Sequence, residues 1–325
     1  MVNFVVVGAG RIALSHIPHV IANSASNLVA VVEPNILLRF IFKTLLNVPV
    51  KKSIHQLREI EYDAVLVLTP PTSHFSICTD FLLKNKHVFL EKPMTLESTQ
   101  SEALLALAKD RGVQLSVGYV YRHQPIYLKL KEFLQDETYG VATSLSIEMK
   151  GNVVKADSPS TWRTKGVGSG CLYDYGCHAI DLSLFLMGAS TSVSCISKVC
   201  LFNEGSIDRF EVEITHKGEL KLASRIKCDW ADATVRKASL NISILTEFNE
   251  IVCDGQKIQV TGDKSEVITI KDVDTSVDYY LRGEEFQNQL SNFITAIVAN
   301  KIKYYDVEQA VEVDHLLERI YGEVI

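Results

Sequence analysis

A glycine motif follows the first apolar run of the chain almost at once. Residues 4–7 are apolar, and the next six residues are Gly8-Ala9-Gly10-Arg11-Ile12-Ala13, which fits the pattern G-x-G-x-x-G/A. The first glycine permits a tight turn, the second lets backbone approach a pyrophosphate, and the third position needs only a small side chain. A helix beginning here directs N–H groups at the phosphates. The motif therefore predicts a strand, a phosphate-binding loop and a helix in that order.

Short apolar runs alternate with amphipathic stretches over the first third of the chain. The runs are typical of strands buried on both faces, and they lie at residues 4–7, 28–32, 64–68, 87–90 and 114–117. Helical patterns separate most of them, for example residues 73–84 and 96–109. This rhythm predicts βαβ units with right-handed crossovers. We therefore expect an α/β Rossmann domain with a doubly wound parallel sheet over residues 1–120.

The pattern changes in the remainder of the chain. A helix is expected after Pro125, because proline suits the first helical turn. The segments that follow are an alternating strand at 141–149, a loop at 151–165, a helix at 170–187, alternating strands from 192 to about 270, and helices at 280–299 and 307–322. This order predicts an α+β domain over residues 121–325 with one large, mostly antiparallel sheet whose second face is open.

Composition limits the class of partner. The net charge of −6, without a cluster of lysine and arginine, argues against nucleic acid. Seven scattered cysteines are typical of reduced thiols in a cytoplasmic protein. No apolar run approaches the roughly 20 residues that span a bilayer, so we expect no membrane partner. Cys171 and Cys177 lie near His178 in the sequence, but six-residue spacing on a helix does not converge on a metal, so none is expected.

An acid ends the second predicted strand. Glu33 lies 25 positions after Gly8, where a carboxylate can hold the adenosine ribose hydroxyls. The same charge repels the 2′-phosphate of NADP, which favours NAD as the cofactor. NADP stays open, because Arg11 and nearby basic residues can accept a phosphate. The alternative is an ordinary turn acid before Pro34.

Two further loops follow buried strands. The apolar run at 64–68 is followed by Thr69-Pro70-Pro71-Thr72-Ser73-His74, and the run at 87–90 by Glu91-Lys92-Pro93. In a doubly wound sheet both loops lie at the carboxyl ends of strands, beside the cofactor crevice. A lysine placed there can stabilise developing alkoxide charge on a substrate. The alternative for Lys92 is a solvated surface lysine.

A possible acid–base pair lies in the predicted helix at 170–187. Asp174 and His178 are four residues apart and therefore share one helical face, and Asp181 lies near that face. An acid beside a histidine fixes its orientation and raises its basicity, which suits a general base that takes a hydroxyl proton. An isolated pair with this spacing is also typical of an ordinary helix surface.

Taken together, these motifs resemble the Gfo/Idh/MocA oxidoreductase family over essentially the whole chain. The matching elements are the glycine motif with His16, Thr69-Pro70 with His74, Glu91-Lys92-Pro93, the run Gly118-Tyr119-Val120-Tyr121-Arg122-His123-Gln124-Pro125, and the glycine-rich stretch from Gly168 to Leu182. The departures from the family pattern are Pro71, where Asn or Asp is common, and Ser169, which replaces a glycine. Serine is tolerated at that position if its φ is ordinary.

The resemblance implies roles for individual residues. Lys92, Asp174 and His178 resemble the catalytic lysine, the active-site aspartate and the proton-transferring histidine. Cofactor contacts are expected from Gly8, Gly10, Arg11, Ile12, Glu33, Thr69, Pro70, His74, Glu91 and Lys92. Substrate contacts are expected from Arg122, Trp162, Arg163, Asp174 and His178.

The resemblance also implies an activity and an assembly. We expect an NAD(P)-dependent dehydrogenase or reductase that acts on a CH–OH group of a polyhydroxylated substrate, namely a sugar, sugar nucleotide or cyclitol. We expect a homodimer or homotetramer, because helices can cover one face of the second sheet and a second subunit the other. Two alternatives stay open. One is a non-catalytic sensor of nucleotide or sugar with the same fold, and the other is a reductase of a non-sugar carbonyl.

Overall fold

The computed structural model of the chain describes residues 1–154, 163–166, 168–218, 222–273 and 283–323. The chain separates into two compact units. The first unit comprises Met1–Val120 and Asp278–Val311, and the second comprises Tyr121–Val277 and Glu312–Ile325. The first crossing between units falls where the sequence pattern changes, whereas a later segment returns to the first unit.

Strands and helices occupy most of the described residues. The strands are β1 (Val2–Val7), β2 (Ser26–Val32), β3 (Val50–Lys51), β4 (Ala64–Val67), β5 (His87–Leu90), β6 (Leu115–Val117), β7 (Ala142–Lys150), β8 (Ser190–Val199), β9 (Arg209–His216), β10 (Ala223–Asp229), β11 (Ser239–Thr246), β12 (Asn249–Cys253), β13 (Lys257–Gly262) and β14 (Glu266–Thr269). The helices are α1 (Ala13–Ala22), α2 (Ile36–Leu45), α3 (His74–Leu83), α4 (Ser98–Arg111), α5 (Pro125–Gln135), α6 (Cys177–Met187), α7 (Ile270–Val273), α8 (Glu284–Val298) and α9 (Tyr305–Gly322). No helix among the described residues is both long enough and apolar enough to cross a membrane.

The sheet of the first unit is parallel. Its strand order is β3-β2-β1-β4-β5-β6, so the direction of strand addition reverses between β1 and β4. Such a reversal opens a crevice at the carboxyl ends of the strands, where open α/β sheets bind ligands. This topology confirms the predicted Rossmann domain and places the ends of β1, β2 and β4 around one crevice.

Residues 278–311 belong to the first unit because helix α8 completes its core. Leu290, Phe293 and Ile294 are buried in the cluster that also contains Phe4 and Phe89. The Gln289 side chain is buried as well, and its Nε2 donates to the carbonyl of Val117 at 3.0 Å. Apolar burial therefore holds a segment from near the end of the chain against the N-terminal sheet.

The sheet of the second unit is large and mostly antiparallel. Its strand order is β14-β13-β12-β11-β7-β10-β9-β8, and β7 pairs with β10 in parallel. The other pairings among the described strands of this sheet are antiparallel. This arrangement confirms the predicted α+β domain.

The two faces of the second sheet differ in polarity. Ile147, Ile226 and Ile242 are fully buried on the face where α6 packs against β7 and β10. Residues at the alternate positions point the other way and form ion pairs, namely Glu148 with Lys150 and Glu211 with Arg225.

We expect a second copy of the chain to cover this outer face, which gives a homodimer or a dimer of dimers. Because the face is charged, raised salt is expected to weaken the assembly, since salt screens charges near the surface. Light scattering at micromolar protein concentration, repeated at low and high salt, tests this. A monomer at low salt would contradict the prediction.

Candidate active site

The glycine loop has the shape that a dinucleotide requires. Gly8 has φ +95°, and a Cβ built there would lie 2.9 Å from the backbone of Leu68. The end of β1 therefore passes so close to the end of β4 that a side chain is excluded at this position. A Cβ built at Gly10 would meet no atom within 4 Å, so the loop is open there. The first turn of α1 carries no acidic side chain, which leaves the helix N-terminus suited to an anion.

Glu33 lies against this loop. Its Oε2 accepts a hydrogen bond from the backbone N–H of Ala9 at 2.8 Å, and its Oε1 accepts one from Asn35 at 2.8 Å. Each carboxylate oxygen has a further lone pair, so both can also accept from ribose hydroxyls. The side chain of Arg39 lies close by, because its Nη1 donates to the carbonyls of Glu33 and Pro34. The glycine loop and Glu33 therefore fit a dinucleotide with a free adenosine ribose.

His74 joins the loops that follow β4 and β5. Its Nε2 lies 2.8 Å from the carbonyl oxygen of Thr69, and its Nδ1 lies 3.0 Å from that of Pro93. The ring is fully buried, and burial lowers the pKa of His74 despite these carbonyl contacts. The position of His74 therefore fixes the Thr69 loop relative to the Lys92 loop. A direct contact between His74 and the dinucleotide stays a prediction.

Glu91 is held by the histidine of the glycine motif. The Nε2 of His16 lies 2.7 Å from Oε1 of Glu91, and the His16 ring packs against Phe89 and Phe286. Burial alone would raise the pKa of Glu91, but His16 and the nearby Lys92 outweigh it, so that pKa is lowered. The other oxygen, Oε2, accepts from the backbone N–H of Lys92 at 3.2 Å. Glu91 therefore fixes the backbone that carries the predicted catalytic lysine.

We expect Glu91→Gln to reduce stability in a pH-dependent way. A carboxylate whose pKa is lowered on folding contributes stability above its unfolded pKa and loses it as the pH falls through the folded pKa. The variant should therefore lose about 1–3 kcal/mol in the free energy of unfolding at pH 7. Below pH ~4.5 the difference should shrink. Urea unfolding of both proteins between pH 3 and 7 measures it, and a difference independent of pH would contradict the assignment.

The predicted pair Asp174 and His178 is carried by an unusual helical segment. Residues Leu172–Gly176 form a π-helix, and α6 continues directly from Cys177. Single π turns often occur at functional sites. Every residue between Gly168 and Leu184 is buried except Asp174 and His178, which are partly accessible. The predicted acid–base pair is therefore what this stretch exposes.

The glycine-rich run before this helix permits a close backbone contact. Gly170 has φ +93°, and a Cβ built there would lie 2.6 Å from the carbonyl oxygen of Ile207. That oxygen accepts a hydrogen bond from the N–H of Cys171. Ser169 is not among the described non-glycine residues with positive φ, and its hydroxyl donates to the carbonyl of Gly166 at 2.6 Å. The replacement of glycine at residue 169 is therefore accommodated.

The residues expected at the substrate occupy different positions. Nη2 of Arg163 lies 3.6 Å from Oδ1 of Asp174, so this arginine neighbours the predicted site. Arg122 is buried and binds Asp181 through Nε and Nη2. Its guanidinium group therefore forms an internal ion pair. Trp162 lies outside the described residues. The roles of all three toward a substrate stay predictions.

Sequence reasoning gave no role to Tyr121, whose ring centroid lies 4.9 Å from that of His178. Tyr121 directly precedes Arg122 in a 3₁₀ segment that spans Val120–His123. The signal was present in the motif that runs from Gly118 to Pro125. Spacing within that motif does not reveal which side chain reaches a helix more than fifty residues later.

Two family models match the chain. Residues 2–119 match the model described as the oxidoreductase family with an NAD-binding Rossmann fold, GFO_IDH_MocA. Residues 127–268 match the model described as the GFO/IDH/MocA C-terminal domain. Together the two matches cover most of the chain and both of its compact units.

Individual relatives are more distant. Oxidoreductase P35 of Formosa agariphila is 25% identical over 269 residues, which are 80% of this chain and 78% of that protein. The scyllo-inositol 2-dehydrogenase (NADP(+)) of Bacillus subtilis is 29% identical over 173 residues, which are 52% of this chain and 48% of the relative. A levoglucosan dehydrogenase solved with NADH and levoglucosan superposes with a TM-score of 0.86 at 17% identity, over 98% of this chain and 96% of the other. The structural likeness shows the shared fold.

Proposed function

Because the chain belongs to the Gfo/Idh/MocA family of oxidoreductases, we propose that it oxidises or reduces a CH–OH group of a sugar, sugar nucleotide or cyclitol. In the oxidative direction His178 would take the hydroxyl proton, and a dinucleotide held by the first unit would supply the acceptor for the hydride of the same carbon. The observation that carries the proposal is the selective exposure of Asp174 and His178 in an otherwise buried helical stretch.

The dinucleotide would be held by the first unit. The backbone at Gly8, Gly10, Arg11 and Ile12 would bind the pyrophosphate, and Glu33 would accept hydrogen bonds from the adenosine ribose. Thr69, Pro70, His74 and Glu91 line the loops at the ends of β4 and β5. When bound, the nicotinamide accepts or donates the hydride, which no side chain of the protein can do.

Three side chains would carry the proton and the developing charge. His178 takes the hydroxyl proton as a general base. Asp174 tunes the imidazole. Nη2 of Arg163 lies 3.6 Å from Oδ1 of Asp174, and this charged pair can bind hydroxyl groups of the substrate. The Lys92 ammonium stabilises the alkoxide while the hydride leaves. Trp162 completes the proposed substrate set, whereas Arg122 binds the buried Asp181.

The class of substrate rests on the relatives. The names of those proteins specify scyllo-inositol, UDP-N-acetylglucosamine and levoglucosan as substrates, all of which carry several hydroxyl groups. Each has secondary hydroxyl groups on a ring, and a nicotinamide together with a general base can oxidise such a group. A polyhydroxylated ring is therefore the proposed substrate class for this chain.

We expect NAD(H) to bind more tightly than NADP(H), because the Glu33 carboxylate repels a 2′-phosphate. Glu33→Ala should narrow the ratio of the two dissociation constants by about tenfold, as expected for one removed like-charge contact of ~1.4 kcal/mol. Glu33→Gln is the matched control. It removes the charge and keeps the size of the side chain, so it separates the effect of the charge from the effect of the size. Calorimetric titration of both nucleotides measures the ratio. Equal or tighter binding of NADP(H) by the unchanged protein would contradict the prediction.

The activity is tested with a panel of probes. The protein is mixed with NAD or NADP and with scyllo-inositol, myo-inositol, levoglucosan or UDP-N-acetylglucosamine, and the absorbance of the reduced nicotinamide is followed. Turnover of at least one probe that is lost in His178→Ala supports the proposal. Tight nucleotide binding without turnover of any probe would favour the sensor alternative.

A further inference from the structure

A single short segment contacts the helix of the proposed base at two points. Tyr121 and Arg122 are neighbours in the 3₁₀ segment Val120–His123. The Tyr121 ring packs edge-on against His178 with centroids 4.9 Å apart and planes at 60°. Arg122 binds Asp181, which is three residues after His178 on α6. Residues three apart are neighbours on a helix surface, so both contacts fall on one side of α6.

The ion pair is buried and has two-pronged geometry. Arg122 is 4% exposed and Asp181 is 1% exposed. Nε of Arg122 lies 2.8 Å from each oxygen of Asp181, and Nη2 also donates to Oδ1. Bidentate arginine–carboxylate pairs fix orientation as well as distance. The backbone beside Arg122 is therefore held at a defined position on α6.

The Tyr121 ring also contacts a second aromatic ring. Tyr121 packs at 5.9 Å and 81° against Tyr127 on α5, and Tyr127 is 1% exposed. Tyr121 therefore contacts both a buried aromatic ring and the partly accessible imidazole of His178. A ring fixed in this way limits the rotamers that the imidazole can adopt, because aromatic contacts favour edge-to-face geometry.

We propose that Tyr121 and the Arg122–Asp181 pair are positioning residues, which hold the His178 imidazole in the orientation that proton transfer needs. The inference rests on the proposed function for its catalytic consequence, whereas the orientation itself is a property of the folded protein. Asp174 provides the charge beside His178, and the segment that contains Tyr121 and Arg122 fixes the orientation of the imidazole ring.

Side-chain spectra of the histidines test the orientation directly. The full-length protein is labelled with ¹⁵N-histidine, and the His178 signals are assigned by their loss in His178→Gln. Tyr121→Leu removes the ring, and Tyr121→Phe is the matched control that keeps it. Arg122→Met combined with Asp181→Leu removes both charges, so that neither is left buried alone.

We expect one set of His178 signals in the unchanged protein and in Tyr121→Phe. Tyr121→Leu and the double variant should give doubled or broadened His178 signals with the other histidines unchanged. A single sharp His178 set in Tyr121→Leu, matching the unchanged protein, would overturn the proposal whatever the activity. If the double variant does not fold, the two Tyr121 variants decide.

Turnover of scyllo-inositol or levoglucosan with NAD separates this role from a structural one. Tyr121→Leu should lower kcat at least tenfold while KM and the dissociation constant of NADH change less than threefold, and Tyr121→Phe should restore kcat to within threefold. An unchanged kcat in Tyr121→Leu overturns the positioning role. If the unchanged protein turns over no probe of the panel while the His178 signals respond as expected, the proposed function fails and the orientation stands.

Discussion

Replacing His178 or Lys92 with alanine is expected to lower turnover at least ~100-fold, the usual loss when a positioned base or an electrostatic donor is removed. His178 accepts the hydroxyl proton, and Lys92 stabilises the oxygen that loses it. Neither residue is expected to touch adenine or pyrophosphate, so nucleotide affinity should change little. Asp174→Asn should cause intermediate damage and shift the pH–rate profile, because Asp174 tunes the base without accepting the proton.

Steady-state kinetics on any probe that the unchanged protein oxidises, together with calorimetric titration of NADH, measures these effects. The matched control is Lys84→Ala, which removes a lysine whose partner is the exposed Asp80. That variant should keep full turnover. Full turnover in His178→Ala would show that another group takes the proton, and a large loss of NADH affinity in Lys92→Ala would assign Lys92 to binding.

Breaking the buried ion pair on one side is expected to give the largest loss of stability. Arg122→Met leaves the Asp181 carboxylate buried with its bidentate partner removed, and both side chains are at most 4% exposed. Removing one partner of a buried pair costs about 3–5 kcal/mol. The double variant Arg122→Met with Asp181→Leu should recover most of that loss, because apolar side chains of similar volume often replace a buried pair at little cost.

Urea unfolding of the single and double variants gives the free energies. The exposed pair Lys129 and Glu132 on α5 is the matched comparison, because both side chains are partly solvated. Breaking that pair should cost less than about 1 kcal/mol. If Arg122→Met lowered the free energy of unfolding by a similar amount, the buried pair would contribute no more than this surface pair.

The fold of the first unit was predictable because its signals are local. Apolar runs of four or five residues and a glycine motif define strands and a turn without reference to distant residues. Strand β3 was missed, because it has two residues, Val50–Lys51, and such a short run has no periodicity. The place of α8 was not predictable either. The apolar face of α8 indicates that the helix is packed against another element. The identities of Leu290 and Phe293 do not indicate which of the two sheets that element belongs to.

The candidate site was predictable in its chemistry and less so in its geometry. The spacing of Asp174 and His178 indicated a shared face, and both prove to be the accessible residues of their stretch. The π-helix at Leu172–Gly176 could not be foreseen, because the stretch is buried on nearly every side and shows no amphipathic pattern whose phase an extra residue could shift. The partner of Arg122 lies 59 residues away, and sequence spacing carries no information on such a pair.

The transfer of a labelled hydride tests the central claim most directly. The protein is incubated with NAD and with levoglucosan or scyllo-inositol carrying deuterium at every ring carbon, and the nicotinamide is analysed by mass spectrometry. With the unchanged protein we expect one deuterium at C4 of the reduced nicotinamide and a product ketone. With His178→Ala we expect at most about 1% of that label over the same time. Bound NAD that stays oxidised and unlabelled with every probe of the panel would contradict the account.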